Sequence, residues 1–161
     1  MRKKIWIISA ITLINNCSLN ENNNHIEAVN YKFYGKNYFI HQELMDALNR
    51  KNIRLVSSCN NVDKCARIKI KKSSLNSRTS IMLNNAKEQE QTLRLSVSYE
   101  IEINGKTNSR KIIQEGSRMN KESDNIGKIK TRKIIKTNLA KKASEELIRK
   151  MQKAYRSSVK K

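Results

Sequence analysis

The chain has 161 residues, 37% hydrophobic and 30% charged, with 34 Lys and Arg against 14 Asp and Glu for a net charge of +20. That length suits one domain with a real core, and no stretch beyond the first turns is apolar enough for a helical membrane span. With no proline and only four glycines, the chain also contains no glycine-rich phosphate loop.

The opening residues carry the clearest signal. Arg2, Lys3 and Lys4 are followed by an apolar run over residues 5–14 and then by Asn15-Asn16-Cys17. A basic start, a short apolar middle and a nearby cleavage-like site read as an export signal. Such a run covers roughly half of a ~30 Å hydrocarbon core, which is too short for a stable span. The Cys at its end points further, because bacterial lipoproteins are cut just before such a residue, which then carries acyl chains. Ile14 stands three places before Cys17, as that pattern requires, while Asn16 departs from it where a small residue is usual. The expectation is therefore a signal over residues 1–16, lipidation at Cys17 and a tether over residues 17–25. Plain secretion and an uncleaved cytoplasmic start are the alternatives. Removal of three cations with the signal lowers the net charge from +20 to +17.

So basic a surface suits an acidic partner such as nucleic acid, anionic lipid or a polyanionic glycan. The same composition is what AT-rich codons produce: Lys, Asn and Ile abundant, Pro missing and Gly scarce. Charge therefore permits an anionic partner without identifying one. The three cysteines are an odd count. With Cys17 acylated, Cys59 and Cys65 remain as a pair in Ser58-Cys-Asn-Asn-Val-Asp-Lys-Cys. In an oxidising compartment they form a loop staple contributing at most ~2–3 kcal/mol, and otherwise they stay free thiols. With no His nearby the spacing is a poor zinc signal.

Along the domain, expected over residues 26–155, Val29, Tyr31 and Phe33 alternate as a short strand. Ile40, Leu44, Ala47 and Leu48 recur with helical spacing, with Asn37 placed to cap the start and Asn52 to end it. Residues 53–56 make a brief second strand, and strand-helix-strand over so few residues is the parallel crossover arrangement. Ala66, Ile68 and Ile70 then alternate with Arg67, Lys69 and Lys71, a strand with one wet face. Residues 73–80 are polar and are expected to twist or bulge before Ile81, with a turn at Asn84-Asn85.

Leu93, Leu95, Val97, Tyr99, Ile101 and Ile103 give the most regular alternation of the chain. Asn104-Gly105 is the strongest short hairpin signal available, returning the chain through residues 111–115. Ile135, Leu139, Ala143, Leu147 and Met151, joined by Ile134 and Ile148, mark a closing helix with a basic outer face. Residues 156–161 are a basic tail. The fold class is α+β: two helices packed on one face of a mixed four- to five-stranded sheet, strand-helix-strand followed by an antiparallel meander and a C-terminal helix.

No catalytic constellation emerges, and no cofactor is implied. His25 falls in the tether and His41 on the first helix, and both read as solvated. Glu100 and Glu102 share a strand face without the opposing carboxylate and cleft that hydrolysis needs. The basic stretch over residues 106–136, including Lys106, Arg110, Lys111, Lys128, Lys130, Arg132 and Lys136, has the donors to hold phosphates or carboxylates, or is simply a solvated face. Aromatics do not interleave with it, which argues against stacking on single-stranded nucleic acid.

The order of parts over roughly residues 38–155 resembles the LPS-assembly lipoprotein family, LptE. The likeness is sharpest in Leu44-Met-Asp-Ala-Leu-Asn-Arg-Lys-Asn-Ile-Arg-Leu55 and in the last helix from Ala140 to Met151. It implies an outer-membrane lipoprotein facing the periplasm. Such a protein plugs and helps assemble a large β-barrel partner, LptD, and binds lipopolysaccharide on its way to the cell surface. The family lysine before the last helix falls on Lys128, with Lys130 and Arg132 beside it. The family arginine near the turn between two long strands falls on Leu83, a departure for which Arg78 is the nearest substitute. The family's tryptophan-containing start after the lipidated Cys is replaced by Ser18-Leu-Asn-Glu. Two other classes compete: a cytoplasmic basic protein binding nucleic acid, and a lipoprotein of another envelope complex.

Overall fold

The computed structural model describes residues 25–35, 38–82, 88–121 and 125–159; the expected signal, Cys17, Asn37 and Asn84-Asn85 lie outside them. The elements run β1 (Ala28–Phe33), α1 (Tyr38–Arg50), β2 (Arg54–Leu55), β3 (Cys65–Met82), β4 (Glu88–Ile103), β5 (Lys106–Lys121) and α2 (Asn125–Val159). The strands form one sheet in the order β2-β1-β3-β4-β5. β1 pairs parallel with both β2 and β3, while β3, β4 and β5 form an antiparallel meander. The fold is α+β, as the hydrophobic periods predict.

The chain switches from helix to strand at Asn52, whose φ of 53° places it in the left-handed region. There the Asn52 amide donates to the Asn49 carbonyl (3.0 Å) and the Ile53 amide to the Leu48 carbonyl (3.0 Å). This is the paired end-bond pattern that satisfies the last free carbonyls of a helix, and Asn tolerates the backbone it needs. At the opposite end of the sheet connection, Asn104 and Gly105 have φ of 50° and 74°. Two successive positive values match the twist of a two-residue hairpin, and they set Ile103 opposite Lys106.

One core lies between the sheet and the helix layer. Val29, Ile68, Ile70, Leu93, Leu95 and Ile112 of the sheet meet Leu44 and Leu48 of α1 and Leu139, Leu147 and Met151 of α2. Phe39 on α1 also receives the Lys136 ammonium over its ring at 4.2 Å, which ties the two helices together.

The polar segment 73–80 remains in one long strand. Register shifts fall between Ile70 and Lys72 and again between Thr79 and Ile81. One extra residue reverses which face each later side chain meets. Before the first shift Ala66, Ile68 and Ile70 are buried, and after it Ser73 takes the buried role opposite Val97. The irregularity before Ile81 is thus where the sequence places it, whereas two other expectations are corrected. Ile134 is 52% exposed and is not a core residue. His41 is not simply solvated, since its ring stacks on Tyr31 at 5.4 Å and its Nδ1 lies 3.4 Å from the Tyr31 hydroxyl. Burial beside it pushes the Tyr31 phenol pKa up. α2 continues to Val159, so residues 156–159 are its last turn.

Candidate functional site

The sheet face away from the helices is polar and carries three cross-strand ion pairs. Arg67 is ion-paired to Glu102, Lys71 reaches Glu100 at 3.1 Å, and Arg94 reaches Glu115 at 3.2 Å. Ser109 also donates to Glu100 at 3.3 Å. The two carboxylates of β4 are thus cross-strand partners of β3 cations. A hydrogen bond from Lys71 and then its charge hold the Glu100 pKa below the usual carboxylate value, and Lys64 does the same for Glu27. Arg67 additionally donates to Asn60 Oδ1 at 2.8 Å, fastening the loop before β3 to the sheet. In that loop Cys59 and Cys65 are joined, with their Cα atoms 5.5 Å apart.

Of the basic residues singled out from the sequence, Arg78, Lys128, Lys130 and Arg132 lie toward the end of the molecule where β3 ends and α2 begins, but on two layers. Arg78 is exposed near the outer end of β3, opposite Thr92. Its register puts it on the polar face, since its neighbour Ser77 is the residue opposite the buried Leu93. Lys128, Lys130 and Arg132 belong to the first turns of α2, in the helix layer, where Lys130 and Arg132 are exposed. Beside them Ile129 is 74% exposed, an apolar side chain set among cations. Among the described residues, no group of three or more His, Cys, Asp and Glu is placed to hold a metal ion, and no helix is long and apolar enough to cross a membrane.

A concave site lies at the other end, between the β4–β5 hairpin and the last turns of α2, with a cavity of about 560 Å³. Its walls carry Lys106 and Arg110 from β5 and Arg149, Lys150 and Lys153 from α2, over a floor that includes Ile101 and Ile103. Lys106 and Arg110 share a strand face because they are an even number apart, and Arg149 and Lys153 share a helix stripe one turn apart. No carboxylate lines it. Glu146, one turn below, pairs with Lys150 at 2.8 Å and accepts from Gln114 at 2.7 Å. Among the described residues, Lys106, Arg110, Arg149 and Lys153 form no ion pair.

Tyr99 also lines this cavity and is buried, with a hydroxyl that has no direct hydrogen-bond partner among the described residues. Desolvation raises its pKa, against the opposing charges of Lys150 and Arg110. In the sequence Lys106 and Arg110 stand only within a longer basic stretch, and nothing there singles out Arg149, Lys150 or Lys153. The i, i+4 spacing of Arg149 and Lys153 was visible. That it faces the hairpin depends on helix-to-sheet packing, which no local pattern encodes.

No family model matches the chain, and no curated protein matches it. Solved structures do. A rare lipoprotein B from Shewanella oneidensis superposes with a TM-score of 0.67 at 14% identity, over 79% of this chain and 95% of that one. An uncharacterized lipoprotein B from Nitrosomonas europaea gives a TM-score of 0.51 at 12% identity, over 78% and 84% of the two chains. At such identities the likeness is one of fold, and this chain carries the α+β fold of those lipoproteins.

Proposed function

We propose that this chain is an envelope lipoprotein of the LptE type, anchored in the outer membrane through acylated Cys17 and without a catalytic step of its own. In this reading the helix-covered sheet sits inside a β-barrel partner and assists its assembly. Lys128, Lys130 and Arg132, with Arg78 on the neighbouring layer, meet the phosphates of lipopolysaccharide as it passes. The observation that carries the reading is a coincidence of two independent features. The chain shares its fold with rare lipoprotein B over nearly the whole of that protein. It also opens with a basic, apolar segment that ends at a cysteine.

Metabolic labelling with palmitate tests the anchor. Label should enter the wild-type chain and vanish in Cys17→Ser; an unlabelled chain that still begins at Met1 ends the proposal. Detergent extracts should then yield a stoichiometric β-barrel with the chain. Lys128→Asp should weaken lipopolysaccharide binding and spare barrel association, with the weakening larger at low salt, where charges are least screened. Unchanged binding would remove Lys128 from the site.

A further inference from the structure

The cavity between the hairpin and the end of α2 has no place in that reading, because Lys128 and its neighbours lie more than four helical turns away along α2. We infer that it is a binding pocket for a small phosphate- or carboxylate-bearing ligand with an apolar body, held between Lys106 and Arg110 on one wall and Arg149 and Lys153 on the other.

Size, charge and lining agree on that class. A volume of about 560 Å³ falls within the range of ordinary small-molecule sites. Four cations without ion-pair partners converge from two elements, an arrangement that costs repulsion unless an anion fills it. On the opposite face of the sheet, β3 and β4 set Arg67, Lys71 and Arg94 against acids. The hairpin lays Lys106 and Arg110 on the helix side, where no carboxylate lines the cavity and Glu146 of α2 is already paired with Lys150. Below the cations the floor turns apolar at Ile101, Ile103 and Ala154. Tyr99 lines the same cavity with its buried hydroxyl close to the Lys150 ammonium. A bare inorganic ion would satisfy the cations and leave that floor unused, so the ligand carries both parts.

The inference does not depend on lipidation or on a barrel partner, and it is read out separately from them. Titration calorimetry on the full-length chain would compare dodecyl phosphate, below its critical micelle concentration, with inorganic phosphate and with uncharged dodecyl maltoside. Dodecyl phosphate should saturate at one equivalent and bind roughly tenfold or more tighter than either control, because only it engages both the cations and the floor. Arg110→Glu with Lys153→Glu should lower that affinity by about tenfold or more, whereas Lys130→Glu with Arg132→Glu should leave it unchanged. Amide shifts on titration should concentrate at Ile101, Ile103 and Ala154, a readout that needs no variant. Equal binding of either control, loss of affinity in the Lys130/Arg132 variant, or shifts centred elsewhere would overturn the assignment.

Discussion

Gly116 of β5 lies directly against Ile135 of α2: a Cβ placed on Gly116 would stand 3.2 Å from the Ile135 Cγ2 and 3.4 Å from the Leu139 Cδ2. The long closing helix can approach the sheet here because the strand presents no side chain. Gly116→Val should therefore push the two layers apart and cost about 1–3 kcal/mol, as overpacking does elsewhere. The urea midpoint reads it, and adding Ile135→Ala should return part of the loss. A Gly116→Val protein as stable as the parent would show that the layers do not meet this closely.

That contact also marks the limit of what the sequence discloses. β4 was legible because Leu93 through Ile103 alternate without interruption and both neighbouring strands stabilise the pattern. β5 was legible only near Ile112, since Gly116 and the polar residues around it carry no period. β3 was hidden beyond Ile70 for a physical reason: the bulge at Lys71 moves the buried role from even to odd positions, and a polar Ser73 takes it up. The exposed Ile134 misled in the opposite direction, as it falls beside the core stripe of α2 without entering it. The basic pocket needed the fold, because Arg110 and Lys153 are remote in sequence and meet only when α2 lies across the hairpin.

The hairpin that builds one pocket wall depends on Gly105. Its φ is 74°, and nothing stands within 4 Å of an added Cβ, so a substitution there meets backbone strain alone. Gly105→Val should cost about 1–3 kcal/mol, while Gly105→Asn should cost only a fraction of that, because Asn visits the left-handed region readily. Thermal unfolding of the two variants checks the ranking. Equal losses would mean that the turn does not have this backbone.

The bond between Cys59 and Cys65 closes a short loop just before the longest strand of the sheet. Loop closure this small constrains the unfolded chain modestly, so reduction should lower stability by about 2 kcal/mol and leave the fold intact. Cys59→Ser with Cys65→Ser should match the reduced parent and become insensitive to reductant. A variant that loses far more would implicate the loop in native packing beyond the crosslink, through Arg67 and Asn60.

Acid should act through the carboxylates that fasten β3 to its neighbours β1 and β4. Hydrogen bonds and charge from Lys64 and Lys71 hold Glu27 and Glu100 below the carboxylate value of 4.5. A carboxyl with a depressed folded-state pKa stabilises the native protein above its unfolded pKa, and this contribution disappears as pH falls through the lower folded value. The difference in urea midpoint between the parent and Glu27→Gln with Glu100→Gln should thus be constant near neutrality. It should shrink as pH falls below about 4.5 and disappear once both acids are protonated in the folded protein as well. Both side chains are close to solvent, so added salt should reduce the neutral-pH difference as well. A gap that stays the same from about pH 7 to about pH 3 would mean that the two acids support the fold by packing and hydrogen bonding that survive protonation, not by their charge.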